Sequence, residues 1–210
     1  VVEGGFRHYE QSLRVVDRLE NDGAGLNLCY EVRRGILCHT AGEPAETLEG
    51  QLVRFADKIA YINHDIDDAM RGGIIFPTDI PVHISETLGF THGERLDTLT
   101  MDIIENSREG NAIRQSEHIA QAMAELKQFM FDSVYFNPLA KGEEGKAEDM
   151  ICLLFDYYAK HTDKLPPEYQ DILVREGAQR AVVDYIAGMT DSYAVETFSN
   201  LFIPKGWMVK

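Results

Sequence analysis

Apolar residues recur along the chain with the 3.6-residue period of helices, and the alternating pattern of strands is almost absent. Glycine and proline clusters interrupt this pattern and predict where helices end. The longer predicted helices span residues 6–21, 26–39, 45–70, 95–107, 115–135, 146–161 and 178–202. Residues 74–93 are predicted to be a loop with at most one short helix, and residues 141–145 a surface turn. No internal repeat or composition shift is present, so the sequence predicts one all-α domain.

The longest predicted helix, residues 45–70, has two distinct faces. One side gathers the apolar residues Leu52, Phe55, Ala56, Ile59, Ile62, Ile66 and Met70. An opposite arc of roughly 100° carries the polar residues Asp57, Tyr61, His64, Asp65 and Asp68. From spacing alone, the simplest interpretation of this arc is a solvated acidic surface, since most charged helix faces meet water.

The composition of the polar arc favours chemistry over a purely solvating role. A solvating face is usually built from Glu and Lys pairs, whereas this arc mixes a tyrosine and a histidine with three aspartates and has Lys58 at its margin. An aspartate offers a rigid carboxylate to a divalent metal, and Lys58 offers an ammonium group to a phosphate. Tyr61 and Asp65 offer a flat wall and an acceptor for sugar hydroxyls. These residue types together suit a site for a sugar phosphate.

The overall charge limits the possible partners. The 210 residues carry a formal net charge of −15, which argues against broad electrostatic binding of nucleic acid or of an anionic membrane. An anionic substrate therefore needs a local basic pocket.

No apolar run is long enough to span a bilayer and the first residues do not resemble a signal peptide, so we expect a soluble, cytoplasmic protein. The three cysteines form no CxxC pair, and we expect reduced, mostly buried thiols.

Residues 56–68, ADKIAYINHDIDD, resemble the last signature of the HD-domain deoxynucleoside triphosphate (dNTP) triphosphohydrolases, the dGTPase-like family. The resemblance implies that Asp57 is the final ligand of a His, His-Asp, Asp metal site. By the same resemblance, Lys58 contacts the triphosphate, Tyr61 packs against the deoxyribose and Asp65 accepts a hydrogen bond from the sugar 3′-hydroxyl. His64 and Asp65 follow Asp57 on the same helix, so they match the sugar-contact region and not the metal-binding His-Asp pair.

Two further segments are similar to the same family. Residues 6–16, FRHYEQSLRVV, resemble the stretch just after the family's first metal motif, where a histidine matching His8 acts in catalysis beside the phosphates. On spacing alone His8 is a surface histidine at the start of a helix. Residues 184–194, DYIAGMTDSYA, and residues 201–204, LFIP, resemble the family's carboxyl-terminal helix. The resemblance therefore covers nearly the whole chain in the correct order.

The family's first metal ligands are missing from this sequence. Family members carry a histidine and a His-Asp pair before the point that corresponds to Val1, and no such motif precedes residues 6–16 here. We therefore expect the chain to be the carboxyl-terminal portion of such an enzyme. With one carboxylate in place of four ligands, this polypeptide alone is expected to bind a divalent metal poorly and to be inactive.

The resemblance implies an architecture and an activity. We expect an all-α fold: a partial HD-domain-like helical bundle with a carboxyl-terminal helical extension. Residues 1–75 are expected to be part of the catalytic core, and residues 76–210 a helical region packed on it as one globular unit.

The expected reaction is hydrolysis of a dNTP, dGTP being the family's usual substrate, to deoxynucleoside and tripolyphosphate. It is expected to depend on a divalent metal, Mg, Mn, Fe, Ni or Zn. Homo-oligomers and an allosteric dNTP are expected from the family. Two alternatives stay open: another HD-type nucleotide phosphohydrolase, or a helical regulatory module without catalysis.

Overall fold

The computed structural model describes residues 5–40 and 42–206. These residues form helices and turns without a β-strand, which confirms the predicted all-α class. The α-helices are α1 His8–Arg14, α2 Tyr30–Leu37, α3 Leu48–Arg71, α4 Val82–Leu88, α5 His92–Asn106, α6 Glu117–Met130, α7 Pro138–Lys160, α8 Gln170–Glu176, α9 Ala178–Ala187 and α10 Asp191–Phe202. Two π-helical turns, Val15–Leu19 and Phe131–Tyr135, continue α1 and α6. Within the described ranges, no helix is long and apolar enough to cross a membrane.

Backbone contacts divide the chain into two compact units. The central unit is Asn27–Lys141, and the terminal unit combines the segment that ends at Leu26 with the segment that begins at Gly142. The predicted boundary between residues 75 and 76 lies inside the central unit. The predicted division into a catalytic core and a carboxyl-terminal extension stays a prediction.

In the central unit, α3 passes through the middle of the hydrophobic core. The helix begins after Thr47, whose side chain accepts a hydrogen bond from the Gly50 amide, and it ends before Gly72 and Gly73. The buried residues of the central core are Ile59, Ile62, Ile66, Ala69, Ile75, Ile80, Ile84, Leu88, Leu99, Ile103, Ile119, Ala122, Leu126, Met130 and Val134. The predicted apolar side of α3 supplies the core through Ile59, Ile62 and Ile66, with Phe55 and Met70 packed against it. Leu52 and Ala56, which the sequence placed on the same side, are exposed.

The turn between α4 and α5 depends on Gly89. This residue has φ +117, and a Cβ added there would lie 2.6 Å from the Glu94 Cβ and 2.7 Å from the Arg95 amide nitrogen. The start of α5 is fixed by a capping box, in which the Thr91 side chain accepts from the Glu94 amide. The Glu94 carboxylate in turn accepts from the Phe90 and Thr91 amides, and these bonds hold the pKa of Glu94 below its usual value.

We predict that Gly89→Ala destabilises the protein by more than about 1 kcal/mol, because the added methyl group combines backbone strain with a collision. Gly93→Ala is the matched control: it lies inside α5, where an added Cβ meets nothing within 4 Å. Alanine is the better helix former, but Gly93 is in the first turn, so the control is expected to gain at most about 0.5 kcal/mol. Urea denaturation followed by circular dichroism measures both changes. Equal stabilities for the two variants would contradict the prediction.

In the terminal unit, the core is built around tyrosines. Tyr158 and Tyr185 are buried, and their rings meet edge to face at 5.0 Å between centroids. The Tyr185 hydroxyl lies 3.0 Å from that of Tyr193, which is at the surface. The apolar core around them contains Leu154, Leu165, Ile172, Ala181, Val182 and Ala194.

Three sequence-based expectations are wrong. The predicted helix 178–202 is two helices, because Gly188 ends α9 and the Thr190 side chain caps α10 by accepting from the Tyr193 amide. The predicted surface turn 141–145 is part of α7. Glycine lowers helix propensity by only about 1 kcal/mol, which the surrounding helix-forming residues offset. The thiols are not mostly buried, since Cys38 is buried whereas Cys29 and Cys152 are exposed; all three are free.

Candidate functional site

The candidate nucleotide-binding residues of the central unit lie along one helix. Asp57, Lys58, Tyr61 and Asp65 belong to α3 and cover about two turns of it, roughly 12 Å along the axis. Asp57 and Asp65 are half-buried, and Lys58 is exposed. Tyr61 keeps 59% of its surface accessible, which is unusual for an aromatic residue on a helix that crosses the core. The arc predicted from the sequence is therefore a partly open surface.

Tyr135 joins this surface from the π-helical turn after α6. Its hydroxyl donates a hydrogen bond to the Asp65 Oδ2. Burial, followed by the Asp65 carboxylate and the neighbouring Tyr61 hydroxyl, raises the pKa of Tyr135 far above its usual value. Sequence reasoning missed this residue, because it is 70 positions from Asp65 and no local pattern connects the two.

Basic side chains collect beside Lys58. The pKa of Lys58 lies below its usual value, first because its ammonium group is partly removed from water and then because Arg54 and Lys127 are positively charged. Lys58 Nζ lies 5.9 Å from the centre of the Phe55 ring, and Lys127 Nζ lies 5.8 Å from the centre of the Phe131 ring. Within the described residues, no carboxylate pairs with Lys58 or Lys127. Because the chain as a whole is strongly acidic, an anionic ligand requires a local group of positive charges, and these side chains provide one.

The described residues do not complete a metal site. Nowhere among them do three or more His, Cys, Asp or Glu side chains come together in a way that could hold a metal ion. In the same ranges, the Asp57 carboxylate has no ion-pair or hydrogen-bond partner. Asp57 therefore offers a single carboxylate, which cannot hold a divalent cation well by itself.

A cavity of about 500 Å³ lies between α3 and α5, next to the polar arc. Its walls are mainly apolar and include Ala56, Ala60 and Leu96, with His64 and His92 among the polar members. The two imidazole rings are 5.8 Å apart, and the Nδ1 atom of His92 lies 2.7 Å from Asp67 Oδ2. This contact with a half-buried carboxylate indicates a structural role for His92.

His8 lies in the terminal unit, at the first position of α1. The side chain is exposed, and its ring meets that of Tyr9 edge to face at 5.6 Å. Glu10 accepts a hydrogen bond from Arg7. The predicted role of His8 beside the phosphates stays a prediction.

The helix that carries His8 is fixed by the buried carboxylate of Asp184 on α9. Asp184 is fully buried and accepts from Gln11 Nε2 at 2.8 Å, from Arg14 Nε at 2.9 Å and from Arg180 Nη2 at 2.5 Å. Burial acts to raise the pKa of Asp184, but the hydrogen bonds from Arg14, Arg180 and Gln11 hold it below its usual value. The carboxylate is therefore ionised and binds α1 to α9.

Comparison with known proteins gives a consistent result. Residues 113–200 match the phosphohydrolase-associated domain family. Over 207 residues the chain is 48% identical to a deoxyguanosinetriphosphate triphosphohydrolase-like protein of Caldanaerobacter subterraneus subsp. tengcongensis, an alignment that covers 99% of this chain and 61% of that protein. It is 44% identical over 211 residues to a protein of the same name from Clostridium perfringens, with 96% and 62% covered. The chain belongs to the deoxyguanosinetriphosphate triphosphohydrolase-like family.

Membership in the triphosphohydrolase-like family confirms the resemblance stated from residues 56–68 and from the two flanking segments. The chain spans about 61% of the length of the Caldanaerobacter relative. Tyr135 lies inside the matched phosphohydrolase-associated segment, whereas Asp57, Lys58, Tyr61 and Asp65 precede it. The roles of these residues in binding remain predictions.

Proposed function

We propose that the whole protein hydrolyses a dNTP, with dGTP as the first candidate, to deoxynucleoside and tripolyphosphate, and that this chain supplies part of the site. The observation that carries the proposal is the shared face of α3, where Asp57, Lys58, Tyr61 and Asp65 stand within two helical turns beside a group of basic side chains. The names of the two relatives, deoxyguanosinetriphosphate triphosphohydrolase-like protein, support the same chemistry.

The proposed reaction is attack of water on the α-phosphorus. The bond from this phosphorus to the sugar 5′-oxygen breaks, a proton goes to the 5′-oxygen, and tripolyphosphate is the second product. Lys58, with Arg54 and Lys127 near it, would neutralise the triphosphate. His8 would protonate the 5′-oxygen or orient the water, tasks that suit an imidazole near neutral pH.

Recognition of the sugar is assigned to the other end of the same face. Tyr61 would form a flat wall against the deoxyribose, and Asp65 would accept a hydrogen bond from the 3′-hydroxyl. Together they would leave no room for a hydroxyl on the 2′ carbon, which would select deoxyribose over ribose.

Dependence on a divalent cation, Mg, Mn, Fe, Ni or Zn, is part of the proposal because the family resemblance implies it. The described residues offer Asp57 as one carboxylate ligand and do not form the rest of a metal site. Metal dependence is therefore a property to test on the whole protein, by chelation with EDTA and re-addition of each cation.

The decisive experiment identifies the products. The full-length protein is incubated with dGTP and a divalent cation, and the products are separated by ion-exchange chromatography and ³¹P NMR. Deoxyguanosine and tripolyphosphate in equal amounts are expected. Release of pyrophosphate or phosphate, or turnover of other nucleotides in a panel without dGTP turnover, would indicate another HD-type phosphohydrolase. No turnover of any nucleotide would favour a regulatory module.

Assembly and regulation are also proposals from the resemblance. Light scattering after gel filtration, with and without added dNTPs, measures whether the whole protein forms homo-oligomers and whether a nucleotide changes their size. Activation of dGTP hydrolysis by a second dNTP would identify an allosteric site.

A further inference from the structure

We infer that Tyr135 is a positioning residue for the sugar end of the site, where its hydroxyl holds the Asp65 carboxylate in the orientation that accepts a nucleotide 3′-hydroxyl. The inference rests on the proposed function and adds a residue to it. Neither the family resemblance nor the comparisons assign a role to this tyrosine. The ligand group that it concerns is the 3′-hydroxyl of a deoxynucleoside triphosphate.

The Tyr135 side chain is held in place by its own surroundings. It ends the π-helical turn Phe131–Tyr135, a wider turn that places the following side chains differently from an α-helix. Met130 and Val134 anchor this turn in the central core, where both are buried. The Phe131 ring packs edge to face against Tyr135 with 5.1 Å between centroids. This packing therefore fixes the position from which the Tyr135 hydroxyl contacts α3.

The hydrogen bond from Tyr135 restricts the orientation of the Asp65 carboxylate and leaves other acceptor positions on it available. An ionised carboxylate has about four acceptor positions on two oxygens, and Tyr135 occupies one position on Oδ2. The carboxylate plane is thereby fixed, while Oδ1 remains able to accept from a sugar hydroxyl. Tyr61 lies one helical turn before Asp65 on the same face, and its hydroxyl is close enough to contribute to the raised pKa of Tyr135. One phenol therefore connects both residues that the proposed function assigns to the sugar.

The phenol stays neutral under working conditions. Burial and the two neighbours raise the pKa of Tyr135, so its hydroxyl keeps the proton that it donates at any physiological pH. It adds no negative charge beside the phosphates. A second carboxylate or an ionised phenolate in this position would repel the anionic substrate, whereas a neutral donor orders Asp65 without adding negative charge.

The experiment compares dGTP with 2′,3′-dideoxyguanosine triphosphate as substrates of the full-length protein. We expect wild type to prefer dGTP by about 100-fold or more in kcat/KM, since a site built for a hydroxyl rejects an analogue that lacks it. Tyr135→Phe is expected to lower this preference about tenfold. The KM for dGTP should rise, while the KM for the dideoxy substrate should change little. The variant keeps the ring and its packing against Phe131.

Two controls separate positioning from a general effect. Asp65→Asn should remove most of the preference, and adding Tyr135→Phe to it should cause no further loss, because the tyrosine acts through the carboxylate. Tyr30→Phe, the same change at an exposed position on α2, should keep the wild-type preference.

The outcomes distinguish this inference from the proposed function. Wild-type turnover with an unchanged substrate preference in Tyr135→Phe would overturn the positioning role and leave the proposed function intact. No dGTP turnover by wild type would overturn both.

The contact itself can be measured without activity by NMR of ¹³C-labelled tyrosine, with the Tyr135 signal assigned from its loss in Tyr135→Phe. Its pKa should lie above the usual tyrosine value and fall in Asp65→Asn. Titration at the usual pKa in wild type would overturn the inference.

Discussion

Replacing Asp184 by asparagine is expected to lower the stability of the terminal unit by about 3–5 kcal/mol. The asparagine has nearly the same size, so the change removes charge and leaves the volume. It leaves Arg14 and Arg180 facing a neutral amide at a position that is completely buried. The loss is large because Arg180 then lacks its carboxylate partner and Arg14 keeps only the exposed Glu176. The NH₂ group of the asparagine cannot accept from either guanidinium group.

Hydrogen exchange of the α1 and α9 amides measures this local stability directly. Asp171→Asn is the matched control, because Asp171 also pairs with an arginine four residues away, Arg175, but both partners are exposed. We expect the control to change stability by less than about 1 kcal/mol. Equal protection in Asp184→Asn and wild type would show that the buried carboxylate is not what binds α1 to α9.

The Asp184 effect also has a predicted pH dependence. The folded pKa of Asp184 lies below the unfolded value, so the carboxylate contributes stability that is fully present above the unfolded pKa of about 4. This contribution is lost as the pH falls from about 4 through the folded pKa. The stability difference between wild type and Asp184→Asn should therefore be constant near neutrality and shrink below about pH 4. A difference that grows in acid would contradict this assignment.

The sequence predicted those features that arise within a single helix. The two faces of α3 could be seen from the spacing of Ile59, Ile62 and Ile66 against Asp57 and Asp65, because side-chain direction on a helix follows directly from position. The all-α class follows from the same periodicity. The start of α3 at Leu48, three residues inside the predicted helix, reflects the Thr47 cap, which the periodicity does not report.

The features that the sequence did not predict depend on contacts between distant residues. Gln11 bonds Asp184 across 173 positions, and Tyr135 bonds Asp65 across 70 positions. Neither pair shares a local pattern, because packing between helices decides which side chains meet. The basic group beside Lys58 has the same origin, since Lys127 comes from α6. Sequence spacing could therefore place the residues on α3 but could not supply their partners.

The largest effect on activity is expected from Asp57→Asn in the full-length protein, which should lower kcat/KM for dGTP by more than about 100-fold. Changes to residues that only support a metal ligand already cost about 10–100-fold, and the proposal makes Asp57 a ligand itself. The substitution keeps the size of the side chain and removes its charge. Because Asp57 has no partner among the described residues, no ion pair of the fold is broken. We therefore expect unchanged thermal stability in the absence of metal.

Bound metal, measured by elemental analysis of the purified protein, should fall together with activity in Asp57→Asn. Glu49→Gln is the matched control, because it removes one carboxylate from the exposed first turn of the same helix, about two turns before Asp57. The control should keep wild-type metal content and turnover. If Asp57→Asn lost activity but kept its metal, Asp57 would act on the substrate and not on a cation. If it kept both, the face of α3 that carries the proposed function would have to be assigned a different role.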